Sequence, residues 1–277
     1  MYKLIPQSFF SIKWKAALLF GTMLLLFNTL FPMLVYWNLQ QKFEFSRDQI
    51  QQQFQQELIG QLKTTSEQIH RMAEMSLIPH DGATKSILAL LDKHQIQLEL
   101  DWNITQAQLF DSSAEQLGGW GRNLPLTIQN LIAEVLQNEQ PRQFIDCSQG
   151  CKQYDLIPVL NNGQVGNVLL LAYDMSSSLL EFANKTAADV AILTAEITKN
   201  SSNERLLPDW NMDVSAITSY HKNMDYLQTI SQNYAFETVH QKNKIFRDSS
   251  LPVELNIVSP DSNSHIVFII IDDIDKQ

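Results

Sequence analysis

Residues 154–174 read YDLIPVLNNGQVGNVLLLAYD, and this stretch decides the fold class. Two apolar runs, residues 154–160 and 164–174, flank the sequence Asn161-Asn162-Gly163. Asn-Gly supplies the positive φ angles that a tight hairpin turn requires, and both flanking runs have the length of strands. The stretch therefore predicts a β-hairpin at the centre of an antiparallel sheet.

The residues before the hairpin predict a mixture of helices and further strands. Residues 86–94 (SILALLDKH) have the pattern of a short helix, and residues 127–137 (TIQNLIAEVLQ) have that of another. Residues 98–105 and 107–113 resemble strands, with a turn at Asp111-Ser112-Ser113. The glycine-rich segment 117–123 (LGGWGRN) is expected to form a turn around Trp120.

The residues after the hairpin repeat this mixture. Residues 175–198 return to a helical period, although AADVAIL (187–193) is better interpreted as the first strand of a second sheet. Segment 202–211 is loop-like, and 215–232 predicts a helix with a connector. Three strands are expected to close the sequence: residues 236–246 with a bend, 251–259 and 265–272, the last two joined by a turn at 260–263. The pattern predicts an α+β fold.

A long helix is predicted before these units. Residues 39–75 contain no proline and one glycine, and their apolar residues recur at helical steps of three, four and seven: Ile50, Phe54, Leu58, Leu62, Ile69 and Met72. Such a helix would be roughly 55 Å long. Its apolar stripe fits either packing on its own domain or a coil in a dimer, because the heptad is irregular. Residues 79–82 (PHDG) should end it.

The N-terminal region predicts a membrane anchor. Residues 16–37 carry no charge, and their number is close to the roughly 20 residues that cross a bilayer. The first 37 residues hold three lysines and no acidic residue, so the positive-inside rule keeps residues 1–15 cytoplasmic. A cleaved secretory signal is the alternative, but the apolar run is longer than such signals and ends in Tyr36-Trp37. The sequence predicts one crossing, since the apolar run at 266–271 is only strand-sized.

Charge and motifs exclude several function classes. The 240 residues after the anchor carry 17 basic and 30 acidic side chains, a net charge of −13, which argues against a nucleic-acid partner. No H-E-x-x-H pair, G-x-S-x-G elbow or phosphate-binding glycine loop occurs. The adjacent Asp272 and Asp273 are interpreted as solvated surface charges. We therefore predict no catalytic residue, no metal site, no cofactor and no enzymatic activity in this chain.

Two sets of residues remain as candidate sites. Cys147 and Cys151, the only cysteines, lie in CSQGC on the side of the membrane where disulfides persist. This favours a structural disulfide, with two free thiols, a redox role and a metal role as the alternatives. A small-molecule pocket would need aromatic walls and a guanidinium for a carboxylate. Its candidates are Trp102, Trp120, Arg122, Tyr154 and Tyr173, for which ordinary core packing is the alternative.

Three segments carry a family resemblance: residues 144–193 (FIDCSQGC to AADVAIL), residues 90–121 (LLDKHQ to LGGWG) and residues 268–275 (FIIIDDID). They resemble the double Cache sensor regions that precede GGDEF, EAL, HD-GYP or histidine-kinase outputs in bacterial membrane receptors. The resemblance covers about residues 40–277. The sequence departs from the family pattern at Thr186-Ala187-Ala188-Asp189, where a glycine is expected after the threonine. No ligand-binding residue transfers through it.

The resemblance implies a domain order. The cytoplasmic tail (1–15) and membrane helix (16–37) lead to a long signalling helix (38–78), a membrane-distal PAS-like domain (79–185) and a membrane-proximal one (186–277). In the family a second membrane helix and a cytoplasmic output follow, and this sequence ends before both.

The expected function is that of a periplasmic sensor in the bacterial inner membrane, linked to cyclic di-GMP signalling, that binds a small molecule and dimerises through the long helix. A membrane-anchored adaptor that binds a protein partner is the alternative, and a periplasmic hydrolase fits least.

Overall fold

The structure, a computed structural model, describes residues 12–79, 83–121, 124, 126–148, 150–161, 163–195, 203–240, 245–248, 252–259 and 265–273. The chain forms two compact units, residues 1–52 and residues 53–277.

Helix α1 (Ile12–Ser76) begins in the first unit. This part of the helix contains an 18-residue window with a mean hydropathy of 2.0, none of which is buried. Its length and composition are compatible with a single crossing of a membrane. Among the described residues, no other helix has both properties.

In the described parts of the second unit, the end of α1 is followed by five further α-helices and eleven strands. The elements of its first half are α2 (Thr84–Trp102), β1 (Ile104–Asp111), β2 (Gln116–Trp120), α3 (Leu126–Asn138), β3 (Arg142–Asp146), β4 (Lys152–Asn161), β5 (Gln164–Asp174) and α4 (Ser176–Thr186). Those of its second half are β6 (Asp189–Thr194), β7 (Leu206–Leu207), β8 (Met212–Ile217), α5 (Tyr220–Asn233), α6 (Phe236–Val239), β9 (Phe246–Arg247), β10 (Val253–Val258) and β11 (Ile266–Asp273).

The first sheet has the antiparallel strand order β2-β1-β5-β4-β3. The hairpin predicted from residues 154–174 is confirmed as β4 and β5, which lie inside the sheet. The end of α1 and α2 pack on one face through a core that includes Ile69, Leu91 and Leu171. Helix α3 packs on the other face, against Leu156 and Leu170.

The second sheet has the antiparallel order β7-β8-β6-β11-β10-β9. Helix α5 covers one face through Met224, Leu227 and Ile230. The closing strands β10 and β11 were predicted and are confirmed, whereas the turn predicted at 260–263 lies outside the described residues. The predicted strand start near residue 187 is also confirmed, as β6. The predicted α+β class is therefore correct.

The predicted strand at 98–105 is wrong in its first half. Helix α2 continues to Trp102 because Leu98 lies on the same buried helix face as Ile87 and Leu91, at steps of four and seven residues. Asn103 ends the helix in a left-handed conformation with φ of 54°. Strand β1 begins only after it.

The predicted turn at 117–123 is also wrong, because Gln116–Trp120 forms edge strand β2. Gly119 has φ of 118°, and a Cβ atom there would lie 2.1 Å from the carbonyl oxygen of Ala107 in β1. The glycines therefore permit close pairing of the two strands instead of a turn.

Three predictions in the last third of the chain also fail. Residues 215–232 were predicted as a helix with a connector, but residues 215–217 belong to strand β8. The predicted strand at 236–246 is the short helix α6 followed, after undescribed residues, by β9. Asp272 and Asp273 are buried, not solvated, because β11 lies between β6 and β10. Lys222 forms an ion pair with Asp273.

Candidate functional site

The buried stripe of α1 is interrupted by a polar residue. Phe54, Leu58, Leu62 and Ile69 are buried, and Ser66 occupies the stripe between the last two with no exposed surface. The apolar stripe therefore packs on the protein's own second unit. A buried hydroxyl in such a stripe needs a hydrogen-bond partner.

Asp155 of β4 supplies that partner. The Ser66 hydroxyl donates to Asp155 Oδ1 at 2.7 Å, and Gln143 Nε2 of β3 donates to Ser66 Oγ at 2.5 Å. Gln143 and Asp155 are opposite each other in the β3–β4 register, so both side chains reach the face on which α1 packs. A chain of hydrogen bonds thus joins α1 to two strands of the first sheet.

Two further polar residues complete this group. Gln153 and Tyr173 lie opposite each other in the β4–β5 register, on the same face as Asp155. No described residue donates a hydrogen bond to Gln153 Oε1, which is buried. We call Ser66, Gln143, Gln153, Asp155 and Tyr173 the helix–sheet polar cluster.

Burial shifts the acidity of two members of this cluster. Asp155 is 2% exposed, and burial raises its pKa to about 6, although the Ser66 hydrogen bond acts in the opposite direction. Burial, and then the nearby Asp155 carboxyl, raise the pKa of Tyr173 above its ordinary value. The side chain of Asp155 therefore changes charge near pH 6, at the point where α1 meets the sheet.

A cleft of about 560 Å³ adjoins the cluster. Gln143 and Gln153 line it together with other residues of β3, with Ile59, Leu62 and Lys63 of α1, and with Ile266 at the start of β11. None of the described lining residues is acidic. The cleft is thus bordered by α1 and by strands of both sheets.

Among the five residues predicted to line a pocket, the four that the structure describes do not share one cavity. Tyr154 lies in the core beneath α3, where its ring stacks on Phe144 with centroids 4.7 Å apart. Tyr173 and Trp120 lie on the opposite face, in or against the core beneath α1 and α2. Trp102 ends α2 and is 37% exposed, and Arg122 lies outside the described residues.

The cysteines lie in the connection between β3 and β4. The structure joins Cys147 and Cys151 by a disulfide across a loop that also contains the Ser148 hydroxyl, which donates to Asp146. In the described parts of the chain, no three His, Cys, Asp or Glu side chains come together as a metal site would require.

The sequence analysis missed the helix–sheet polar cluster. Its signal was present, because the step of seven between Leu62 and Ile69 leaves room for a stripe residue at position 66. Asp155 likewise interrupts an otherwise apolar strand, YDLIPVL. The sequence alone did not indicate that Ser66 and Asp155 contact each other.

Residues 38–253 match the family model described as the double sensory domain of two-component sensor kinases, a double Cache domain. The chain belongs to this family. The resemblance found in the sequence is therefore confirmed, and with it the double Cache fold. Among curated proteins, none matches this chain.

Two solved structures are among those to which this double Cache chain is similar. One is the sensory domain of the Campylobacter jejuni chemoreceptor Tlp3 with isoleucine bound, at 11% identity and a TM-score of 0.45, covering 86% of this chain and 95% of that one. The other is the sensor domain of the Vibrio cholerae histidine kinase DctB, at 10% identity and a TM-score of 0.46, covering 84% and 98%.

Proposed function

We propose that this double Cache chain is the extracytoplasmic sensor of a bacterial inner-membrane receptor, and that α1 carries its signal. One observation carries the proposal: a single helix contains both the candidate membrane span and Ser66, whose hydroxyl bonds to Asp155 of the first sheet. A change in that sheet would alter the position of the helix.

The proposed domain order follows the sequence analysis. Residues 1–15 are cytoplasmic, 16–37 cross the membrane, 38–78 form the signalling helix, and 79–185 and 186–277 form the distal and proximal domains. The division at residue 185 is supported by the two sheets, since β1 to β5 precede it and β6 to β11 follow it.

We also propose that two copies associate through the exposed face of α1. Support comes from burial: the apolar stripe of α1 packs on its own chain, and the opposite face, with Thr64, Glu67 and Arg71, is exposed. The proposed output is synthesis or breakdown of cyclic di-GMP, which rests on the resemblance to sensors that precede GGDEF and EAL domains.

The DNA downstream of the codon for Gln277 tests the output. An in-frame membrane helix followed by a GGDEF or EAL segment would support it. A histidine-kinase segment would contradict the cyclic di-GMP proposal and keep the sensor, whereas a stop codon would favour an adaptor.

Ligand sensing is tested separately by a thermal-shift screen of the full chain in detergent micelles against small metabolites and short peptides. A sensor should be stabilised by at least one compound, since a ligand that binds only the folded state raises the melting temperature. Failure of all compounds would contradict a ligand-sensing function.

A further inference from the structure

Strand β3 is an open edge of the first sheet. Among the described strands it pairs with β4 alone, over five consecutive residue pairs without a bulge. Apart from that ladder, residues 142–146 form no backbone hydrogen bond to any other described part of the chain. On an edge strand, every second residue directs its N–H and C=O away from the sheet.

The other sheet edges are less suited to pairing with an added strand. Strand β2 carries a register shift in its pairing with β1. In the second sheet, edge strands β7 and β9 have two residues each. Strand β3 is therefore the most regular edge that the described residues offer.

The cleft of about 560 Å³ runs along this edge, because five consecutive residues, 141–145, line it. Its volume lies within the roughly 300–1,000 Å³ that is usual for ligand sites. Five residues of strand extend about 17 Å, so the cleft accommodates an extended chain of about four residues. At the start of the edge, Pro141 interrupts strand pairing and Arg142 adds a charge. Residues 143–145 remain open to pairing with an added strand.

We propose that this cleft binds a short extended peptide, which adds a strand to the edge of β3. The peptide backbone would pair with the open N–H and C=O groups of β3, as in other cases of strand addition. Alternate side chains of the peptide would face Ile59 and Leu62 of α1, while the buried Gln153 Oε1 accepts a hydrogen bond from a donor that enters the cleft.

The charge of the cleft selects among peptides. Lys63 lines the cleft and is exposed, and its Nζ lies 3.8 Å from Glu67 Oε1. Among the described residues, no acidic residue lines the cleft. The cleft therefore favours a free C-terminal carboxylate or an acidic residue near Lys63 over a basic peptide.

Such a peptide would contact three elements at once: α1, the first sheet, and Ile266 of the second sheet. It would also lie against Gln143, whose amide holds Ser66 of α1. An effect of the bound peptide on signalling rests on the proposed sensor function. Peptide binding itself can be measured whether or not the chain is a sensor.

The experiment uses the full chain in detergent micelles and titrates acetyl-Val-Thr-Val-Thr with a free carboxylate by isothermal calorimetry. Two further versions of this peptide each carry one backbone N-methyl group, on adjacent residues. Because strand pairing uses alternate N–H groups, one version should bind at least about tenfold more weakly than the other. Absence of binding by the parent peptide at about 1 mM, or equal binding of the two methylated versions, would overturn the proposal.

Hydrogen exchange locates the site. Bound peptide should slow exchange in residues 142–146 and leave the other sheet edge, Gln116–Trp120, unchanged. Slowing at both edges, or at neither, would overturn the assignment to β3 while leaving the receptor function to be judged by the downstream DNA and the thermal-shift screen.

Substitutions on α1 test the chemistry. Ile59→Gln should weaken binding about tenfold, whereas Met75→Gln, at an exposed α1 position outside the cleft, should not. Lys63→Gln should weaken binding of the peptide with a free carboxylate about tenfold, so that this peptide binds no more tightly than the version with a C-terminal amide. Lys93→Gln on α2 is the control for this substitution. Equal effects of cleft and control substitutions would overturn the proposal.

Discussion

The surroundings of Asp155 differ from those of an ordinary exposed carboxylate, because its side chain is buried where α1 packs on the first sheet. In the folded chain it keeps a proton up to about pH 6, whereas in an unfolded chain aspartate loses it near pH 4. Between these values the folded state binds more protons than the unfolded state. The contribution of Asp155 to the free energy of unfolding therefore falls as pH rises from about 4 to about 6, and it stays lower above that range.

Asp155→Asn should remove this dependence. A difference of about two pKa units corresponds to about 3 kcal/mol of stability that the natural chain loses between pH 4 and 7 and the variant does not. Chemical denaturation at pH 4, 5, 6 and 7 measures it, with Asp92→Asn on the exposed face of α2 as control. An unchanged pH slope in Asp155→Asn would show that another group titrates.

Ala187 occupies the position where the family resemblance leads one to expect glycine. It ends α4 with φ of 59°, in the left-handed region that an alanine side chain disfavours. Ala187→Gly should therefore stabilise the chain by roughly 0.5–1 kcal/mol. Ala183→Gly, inside the same helix, should instead destabilise it by about 1 kcal/mol, and melting temperatures compare the two. Destabilisation by both substitutions would contradict this account.

At the scale of elements, the sequence correctly predicted the helices and strands that can be identified from a local pattern of residues. The hairpin follows from Asn-Gly between two apolar runs, and α3 follows from its helical period. Strand β8 was missed because its residues, MDVSAI, form no long apolar run. The strand prediction at 98–105 was wrong because Leu98 lies on the buried face of α2. That burial is a tertiary contact, which local propensity does not reveal.

The candidate site was less predictable than the fold for the same reason. The helix–sheet polar cluster joins α1 to β3, β4 and β5, elements about 80 or more residues apart from Ser66 in the chain. The aromatic candidates failed on register: Tyr154 pairs with Ala172, so the neighbouring Tyr173 necessarily points to the other face of the sheet.

The disulfide stabilises the β3–β4 connection. A loop closed between Cys147 and Cys151 is short, so its removal should cost only about 2 kcal/mol in the free energy of unfolding. The variant with both cysteines changed to serine tests this by denaturation. Mass spectrometry of the exported chain should find the two cysteines linked, and two thiols that alkylate without reductant would contradict the bond.

At the scale of the whole molecule, the acidic residues and the exposed apolar helix separate along the chain. The net charge of −13 lies after residue 37, while the exposed apolar part of α1 lies near its start. This separation suits a chain with one membrane crossing and an exported domain. A receptor of this kind transmits a signal most simply when two copies of the same helix change their contact.

Dimerisation through α1 is the last prediction. Because Phe54, Leu58 and Leu62 are buried within one chain, a dimer contact on this part of α1 must use the opposite face, where Arg71 is exposed. Arg71→Cys should form a disulfide between two copies when membranes are mildly oxidised, detected as a band of doubled mass on a non-reducing gel. Lys93→Cys on α2 is the control for random collision. Equal cross-linking at both positions, or none at Arg71, Thr64 and Glu67 tested in turn, would place the contact between copies elsewhere than on this face of the helix.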